Sequence, residues 1–210
     1  MLSKGTKVGA PQYTVEELTA LVDEAHSRGL KVASHAHGAQ GIINALHAGA
    51  DTIEHASFID EEGIRLAIAN NAALSMDIYV TEYILGEGAG AGILEESLEK
   101  ERMTGSTQRA NFRKAVEAGA TIVYGTDAGV YPHGQNARQF SRMVRFGMTP
   151  LQAIQSATVT AADVMGLGYE VGKIEAGYAA DFVAVKGNPL ENIELLEEPA
   201  AVIKGGVRYR

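Results

Sequence analysis

The sequence predicts an α/β fold built on a parallel sheet, followed by a small antiparallel β module at its C-terminal end. Three observations carry that reading. A helical pattern that ends at Gly or Asn and runs at once into a short apolar segment recurs four times. The recurrence alternates helix with strand, the pattern of parallel sheets with right-handed crossovers. After about Val171 the periodicity gives way to short strands punctuated by turn residues.

The four units are Gly29 before Leu30-Lys31-Val32, Gly49 before Ala50-Asp51-Thr52-Ile53, Asn71 before Ala72-Ala73-Leu74, and Gly119 before Ala120-Thr121-Ile122-Val123. Gly and Asn supply the left-handed residue that caps a helix, and each apolar run becomes a buried parallel strand. The first helix starts at Thr14, where Glu17 three residues later completes a capping box, and Val15, Leu18, Leu21, Val22 and Ala25 form its apolar face to near Arg28. Further helices are expected at about 39–48, 60–70, 94–118, 136–146 and 149–165. Cap-to-cap spacings of 20, 22 and 48 residues place one long insertion after the third strand. Its stretch from Asp77 to Gly92, rich in glycine near its end, reads either as a mobile lid over a site or as a surface loop. The β module is expected from Lys173-Ile174-Glu175-Ala176-Gly177, Asp181 to Val185, and Ala201 to Lys204 turning at Gly205-Gly206 into Val207-Arg208-Tyr209. The division is therefore residues 1–170 for the α/β part and 171–210 for the β module.

The 210 residues are 46% hydrophobic and 21% charged, the balance of an ordinary soluble globular protein. No apolar stretch approaches the roughly 20 residues of a membrane span, and Met1 to Ala10 lacks the apolar core of a signal peptide, so no membrane partner and a cytoplasmic location are expected. A net charge of −8 argues against a nucleic-acid partner. The absence of cysteine excludes disulfides and thiolate ligands, so a transition-metal site has only imidazole nitrogen and carboxylate oxygen to draw on.

Three such groups stand at the C-terminal ends of three separate expected strands: His35 after Lys31 to Ser34, His55 after Thr52 to Glu54, and Asp127 after Ile122 to Thr126. A lone histidine at a strand end is more often structural. Two histidines and an aspartate at equivalent positions of separate repeats point to a metal centre at the end of the strands where active sites of (β/α) barrels lie. His37, two residues beyond His35, either faces the same mouth or caps the next helix. His26 and His47 sit within helices, away from the strand ends. Glu54 alternates with His55 along its strand and is expected to meet the helical layer. The loop Tyr131 to Asn136 borders the same mouth, making His133 a candidate substrate contact and Arg138 a possible partner for a substrate carboxylate; the plainer alternative is a loop in which Asn136 starts the helix and Arg138 is solvated.

Ser34-His35-Ala36-His37-Gly38, Asp51-Thr52-Ile53-Glu54-His55, Gly125-Thr126-Asp127-Ala128-Gly129 and Thr158-Val159-Thr160-Ala161-Ala162 resemble successive motifs of the amidohydrolase superfamily, and Gly172 to Phe182 resembles its return into a small β domain. The branch it is most similar to is the imidazolonepropionase-like group that includes Xaa-Pro dipeptidases. The resemblance implies a partial TIM (β/α) barrel, about the last four βα units, with His35 and His55 as metal ligands from the fifth and sixth strands and Asp127 from the eighth. It implies one or two divalent ions, zinc above all, in the complete enzyme, and one or none in this chain. Asp127 is then also the catalytic group that orients water and passes its proton to a leaving amine, with His133, His37 and Arg138 as candidate substrate contacts. The substrate class implied is a small peptide or amide.

The superfamily's first-strand His-x-His pair and fourth-strand carboxylated lysine have no counterpart here, and Lys4 or Lys7 falls where the loop after strand four belongs. The expectation is therefore an incomplete hydrolase fragment with poor or no turnover of its own. The rival is a fragment that only folds and assembles. A phosphate-binding barrel is disfavoured because no Gly-rich phosphate loop follows the last strand. Half a barrel leaves its inner face and both edge strands open to water, so a homo-oligomer, most simply a two-fold dimer, is expected.

Overall fold

The computed structural model describes Gly5 and residues 7–210, so Lys4 lies outside the described residues. Four short strands, β1 (Ala33–Ala36), β2 (Thr52–His55), β3 (Ala73–Ser75) and β4 (Ile122–Val123), form a parallel sheet in chain order. Each is preceded by a helix that ends on a left-handed residue, with φ of 71° at Gly29, 91° at Gly49, 54° at Asn71 and 79° at Gly119. These helices are α1 (Val15–Ser27), α2 (Ala39–His47), α3 (Glu61–Ala69) and, before β4, the long α5 (Glu95–Glu117), with α4 (Val80–Gly86) inserted after β3. Thr14 caps α1 by the expected reciprocal bonds with Glu17, and the Asp60 side chain caps α3. After β4 come α6 (Arg138–Arg145), α7 (Pro150–Ser156) and α8 (Val159–Val164). A separate antiparallel sheet of β5 (Phe182–Ala184), β6 (Ala201–Lys204) and β7 (Val207–Arg208) follows, with Gly205 and Gly206, both at positive φ, turning β6 into β7. No helix among the described residues is long and apolar enough to cross a membrane.

The side-chain alternation of the strands decides which face carries chemistry. Ile53, Leu74 and Ile122 enter one apolar core with Ile42 and Leu46 of α2, Ile64 and Ala67 of α3, Phe112 and Ala115 of α5, and Met143 of α6. Their neighbours in sequence therefore face the opposite way. Glu54 belongs to that opposite face and does not meet the helical layer: it pairs in register with His35 and Ser75, and the Thr52 hydroxyl donates to its carboxylate at 2.6 Å.

Three further expectations are corrected. The first part of the stretch after Asp77 is not a loose loop, because Tyr79, Val80, Tyr83 and Ile84 bury against Leu98 and Tyr131 and make α4 a packed helix, while its glycine-rich end, residues 87–92, is a run of mostly exposed turns. The single helix expected over 149–165 is two, α7 and α8. The Ser156 carbonyl that a continuous helix needs instead accepts from Tyr124 N at 3.1 Å, fastening the end of β4. Residues 173–177 form turns and bends, not a strand.

Asp51 holds α1 to the sheet. Its carboxylate accepts from Val32 N at 2.7 Å and His26 Nε2 at 2.8 Å, with Lys31 Nζ at 3.5 Å. Burial pushes this carboxyl's pKa up, but the hydrogen bonds from His26 and Val32 and the Lys31 charge outweigh it and hold it below the ordinary 3.8. A depressed carboxyl pKa stabilises the fold above the unfolded value, and that contribution is lost as pH falls through the folded value. Asp51→Asn is expected to cost about 1–2 kcal/mol at neutral pH. Urea midpoints should show the gap between variant and wild type closing as pH drops below about 4; a gap that persists there contradicts the assignment.

Candidate metal centre at the C-terminal ends of the parallel strands

His35 lies within β1, His55 is the last residue of β2, and Asp77 and Asp127 follow β3 and β4. Alternation alone aims His55 after Ile53 toward the helices. The chain departs from regular strand at that point, with φ of 68° at His55 and 47° at Ala56, and the imidazole turns back to meet the other rings. The left-handed region is uncommon for any residue but glycine, with His and Asp among the better tolerated. Asp127 adopts it too, at φ 50°. Left-handed backbone at the end of β2 and again just beyond β4 is the kind of feature that clusters at functional sites.

Three imidazoles come together. The ring centroids of His35 and His37 are 4.9 Å apart, those of His35 and His55 4.4 Å, and those of His37 and His55 4.6 Å, the last pair stacked. The potential ligand atoms of His35, His37 and His55 lie within 4.8 Å of one another, and so do those of His55, Asp77 and Asp127. His55 belongs to both groups and joins the imidazole cluster to the carboxylates. Of the residues expected at the site, His35, His37, His55 and Asp127 are thus drawn into one centre.

The other two stand apart. His133 is exposed on its loop. Arg138 is held by Tyr79, its Nη1 donating to the phenol oxygen at 3.0 Å with the guanidinium over the ring. Asn136 does not start α6. Its Oδ1 accepts from Gly134 N at 3.1 Å while its Nδ2 donates to Thr126 Oγ1, also at 3.1 Å, tying the loop to the segment that carries Asp127.

The electrostatics divide the centre in two. Burial, then the neighbouring His55, lowers both His35 and His37, and His37 is pushed down to about 3. Both rings are therefore neutral at physiological pH with lone pairs to offer, the state a metal ligand needs. At His55 burial works against charge, but the hydrogen bond and charge of Asp77 prevail and raise its pKa, while Asp77, though buried, is held below the ordinary range by His55. Asp127 is exposed as a residue, yet its carboxyl loses part of its water and faces the Asp77 carboxylate, which together raise its pKa against the opposing pull of His55.

Residues 1–208 match the amidohydrolase family. The chain belongs to that family. It is 34% identical to the ochratoxinase of Aspergillus niger over 215 aligned residues, which take in all of this chain and 44% of that protein. It superposes with a TM-score of 0.92 on a crystal structure of a Xaa-Pro dipeptidase with bound methionine, at 40% identity over 100% of this chain and 51% of that one. The imidazolonepropionase of Geobacillus sp. (strain WCH70) is 26% identical over 179 residues, 81% of this chain and 37% of that protein. The chain spans about half the length of the relatives it matches, or less.

The donor set of this amidohydrolase chain fits a divalent cation. Imidazole nitrogens and carboxylate oxygens suit zinc and its neighbours, and no thiolate is needed. Four residues at the centre escape sequence reasoning. Asp77 bonds to His55, and Ser57 shares a 2.8 Å hydrogen bond with His37 Nδ1. Gln108 and Asn111 reach the same turn from α5. A signal for Asp77 exists, since it follows the third apolar run as His55 follows the second. Its place at the head of the insertion hides it.

Proposed function

We propose that this chain supplies part of the metal centre of a hydrolase that cleaves a C–N bond in a small peptide or amide, on a sheet that forms part of a (β/α) barrel. The observation that carries the reading is the pair of ligand groups joined through His55. His35 and His55 would hold the metal from the imidazole side and Asp127 from the carboxylate side. A divalent cation bound there supplies Lewis acidity to a substrate carbonyl and to water. Asp127 then serves as the base that takes a proton from the attacking water and the acid that returns it to the departing amine nitrogen. The names of the relatives, ochratoxinase and Xaa-Pro dipeptidase among them, support hydrolysis.

The test is a titration of the purified chain with zinc, and with cobalt as a spectroscopic substitute. Stoichiometric binding is expected, and it should be severely weakened by His55→Ala, which removes the residue common to both groups. His133→Ala, on the exposed loop, should leave it unchanged. A chain that binds no zinc, or binds it equally well without His55, contradicts the proposal.

A further inference from the structure

We propose that Asp77 and Gln108 are a positioning pair that locks His55 in one tautomer and one orientation, with Nδ1 carrying the proton and Nε2 presented to the centre. Asp77 is 4% exposed and sits two residues beyond β3. Its Oδ1 lies 3.0 Å from His55 Nδ1. A carboxylate only accepts, so Nδ1 must donate, and the neutral ring is left with its lone pair on Nε2. Metal-ligating histidines are oriented by such partners as a rule.

Gln108 makes the arrangement rigid. Its Nε2 donates to the same Asp77 Oδ1 at 3.0 Å and to the main-chain carbonyl of His55 at 3.2 Å. One buried amide group therefore fixes both the carboxylate that orients the ring and the left-handed backbone that carries it. Three residues along the same face of α5, Asn111 Nδ2 donates to the Ser57 carbonyl at 3.0 Å and secures the far side of the turn.

The contrast with His37 sharpens the assignment. Its Nδ1 pairs with the Ser57 hydroxyl, which can donate or accept and so dictates no tautomer. Of these two rings only His55 faces a partner that admits a single answer, and His55 is the residue shared by both ligand groups. Asp77 is read as a partner and not as a ligand because its Oδ1 is already engaged twice and its side chain is nearly sealed from solvent. The tautomer lock holds whether or not the site performs hydrolysis; its use in presenting Nε2 to a cation rests on the function proposed above.

The deciding measurement is a long-range proton–nitrogen NMR spectrum of the histidine-labelled, metal-free chain at alkaline pH, with the His55 signals assigned by their loss in His55→Gln. The expected result is the Nδ1–H pattern for His55, a mixture of tautomers in Asp77→Asn, and partial mixing in Gln108→Leu, which keeps the result readable if Asp77→Asn fails to fold. Zinc affinity, read by chelator competition, should fall about 10–100-fold in either variant. A His55 ring protonated at Nε2, or a tautomer untouched by either substitution, overturns the proposal. So does a far larger loss of zinc affinity in Asp77→Asn with the tautomer unchanged, which makes Asp77 a ligand. Failure of the wild-type chain to bind zinc overturns the function proposed above, and the tautomer result then decides this one.

Discussion

Asp127→Asn is expected to reduce hydrolysis of a dipeptide or N-acyl amino acid by about 10²- to 10⁴-fold, the range contributed by a positioned general acid–base group. Asparagine matches the aspartate in shape and can still lend an oxygen to a cation, but it neither takes up nor returns a proton. Asp127 is exposed and its side chain is no part of the apolar core, so the substitution should leave the fold intact, and the urea midpoint serves as the control. The chain's own rate is expected to be low, and the comparison is therefore made with excess zinc-loaded protein under single-turnover conditions. Equal rates for variant and wild type would remove Asp127 from the chemistry. A rise confined to the half-saturating protein concentration, with the limiting single-turnover rate unchanged, would make it a binding group.

The sequence is most legible where local chemistry and tertiary structure agree. The Thr14–Glu17 capping box and the four left-handed caps are each written in one or two residues, and the structure has all of them. The strands those caps announce follow in parallel register, except that the first begins at Ala33, beyond the Leu30 to Val32 run, and is only partly buried. His35 and His55 are legible because each stands six residues after the glycine that caps its helix, Gly29 or Gly49, and Asp127, eight residues after Gly119, because it follows the last of the four apolar runs. Legibility fails where one backbone group has a distant competitor. The break between α7 and α8 depends on Tyr124 taking the Ser156 carbonyl from 32 positions away in sequence, which no window centred on the helix registers. Glu54 is misread for a related reason: strict alternation opposes Glu54 to His55, but the strand stops being regular at His55, and the left-handed turn brings both side chains to the same side. Gln108 and Asn111 look like surface positions of a polar helix. Only the packing of α5 against the strand ends shows that they face inward, with 3% and 8% of their surface exposed.

That packing is also where the fold is most vulnerable. Phe112 of α5 is fully buried among Ile122, Leu74 and their neighbours in the core, and it lies on the helix that also carries Gln108 and Asn111. Phe112→Ala removes the ring and leaves a cavity that strands on one side and helices on the other cannot both close. The expected cost is about 3–5 kcal/mol, against a total stability of about 5–15 kcal/mol for a typical domain. Met103 on the same helix, 65% exposed, is the matched control. Met103→Ala should stay within about 0.5 kcal/mol of wild type. Urea unfolding followed by circular dichroism measures both. Because the amides that secure the His55 turn ride on α5, Phe112→Ala should also broaden the histidine NMR signals at denaturant concentrations where the far-ultraviolet signal is still native. A Phe112→Ala chain within about 1 kcal/mol of wild type would mean that α5 is not anchored through this ring. The rigidity of the centre would then have to come from the strands alone.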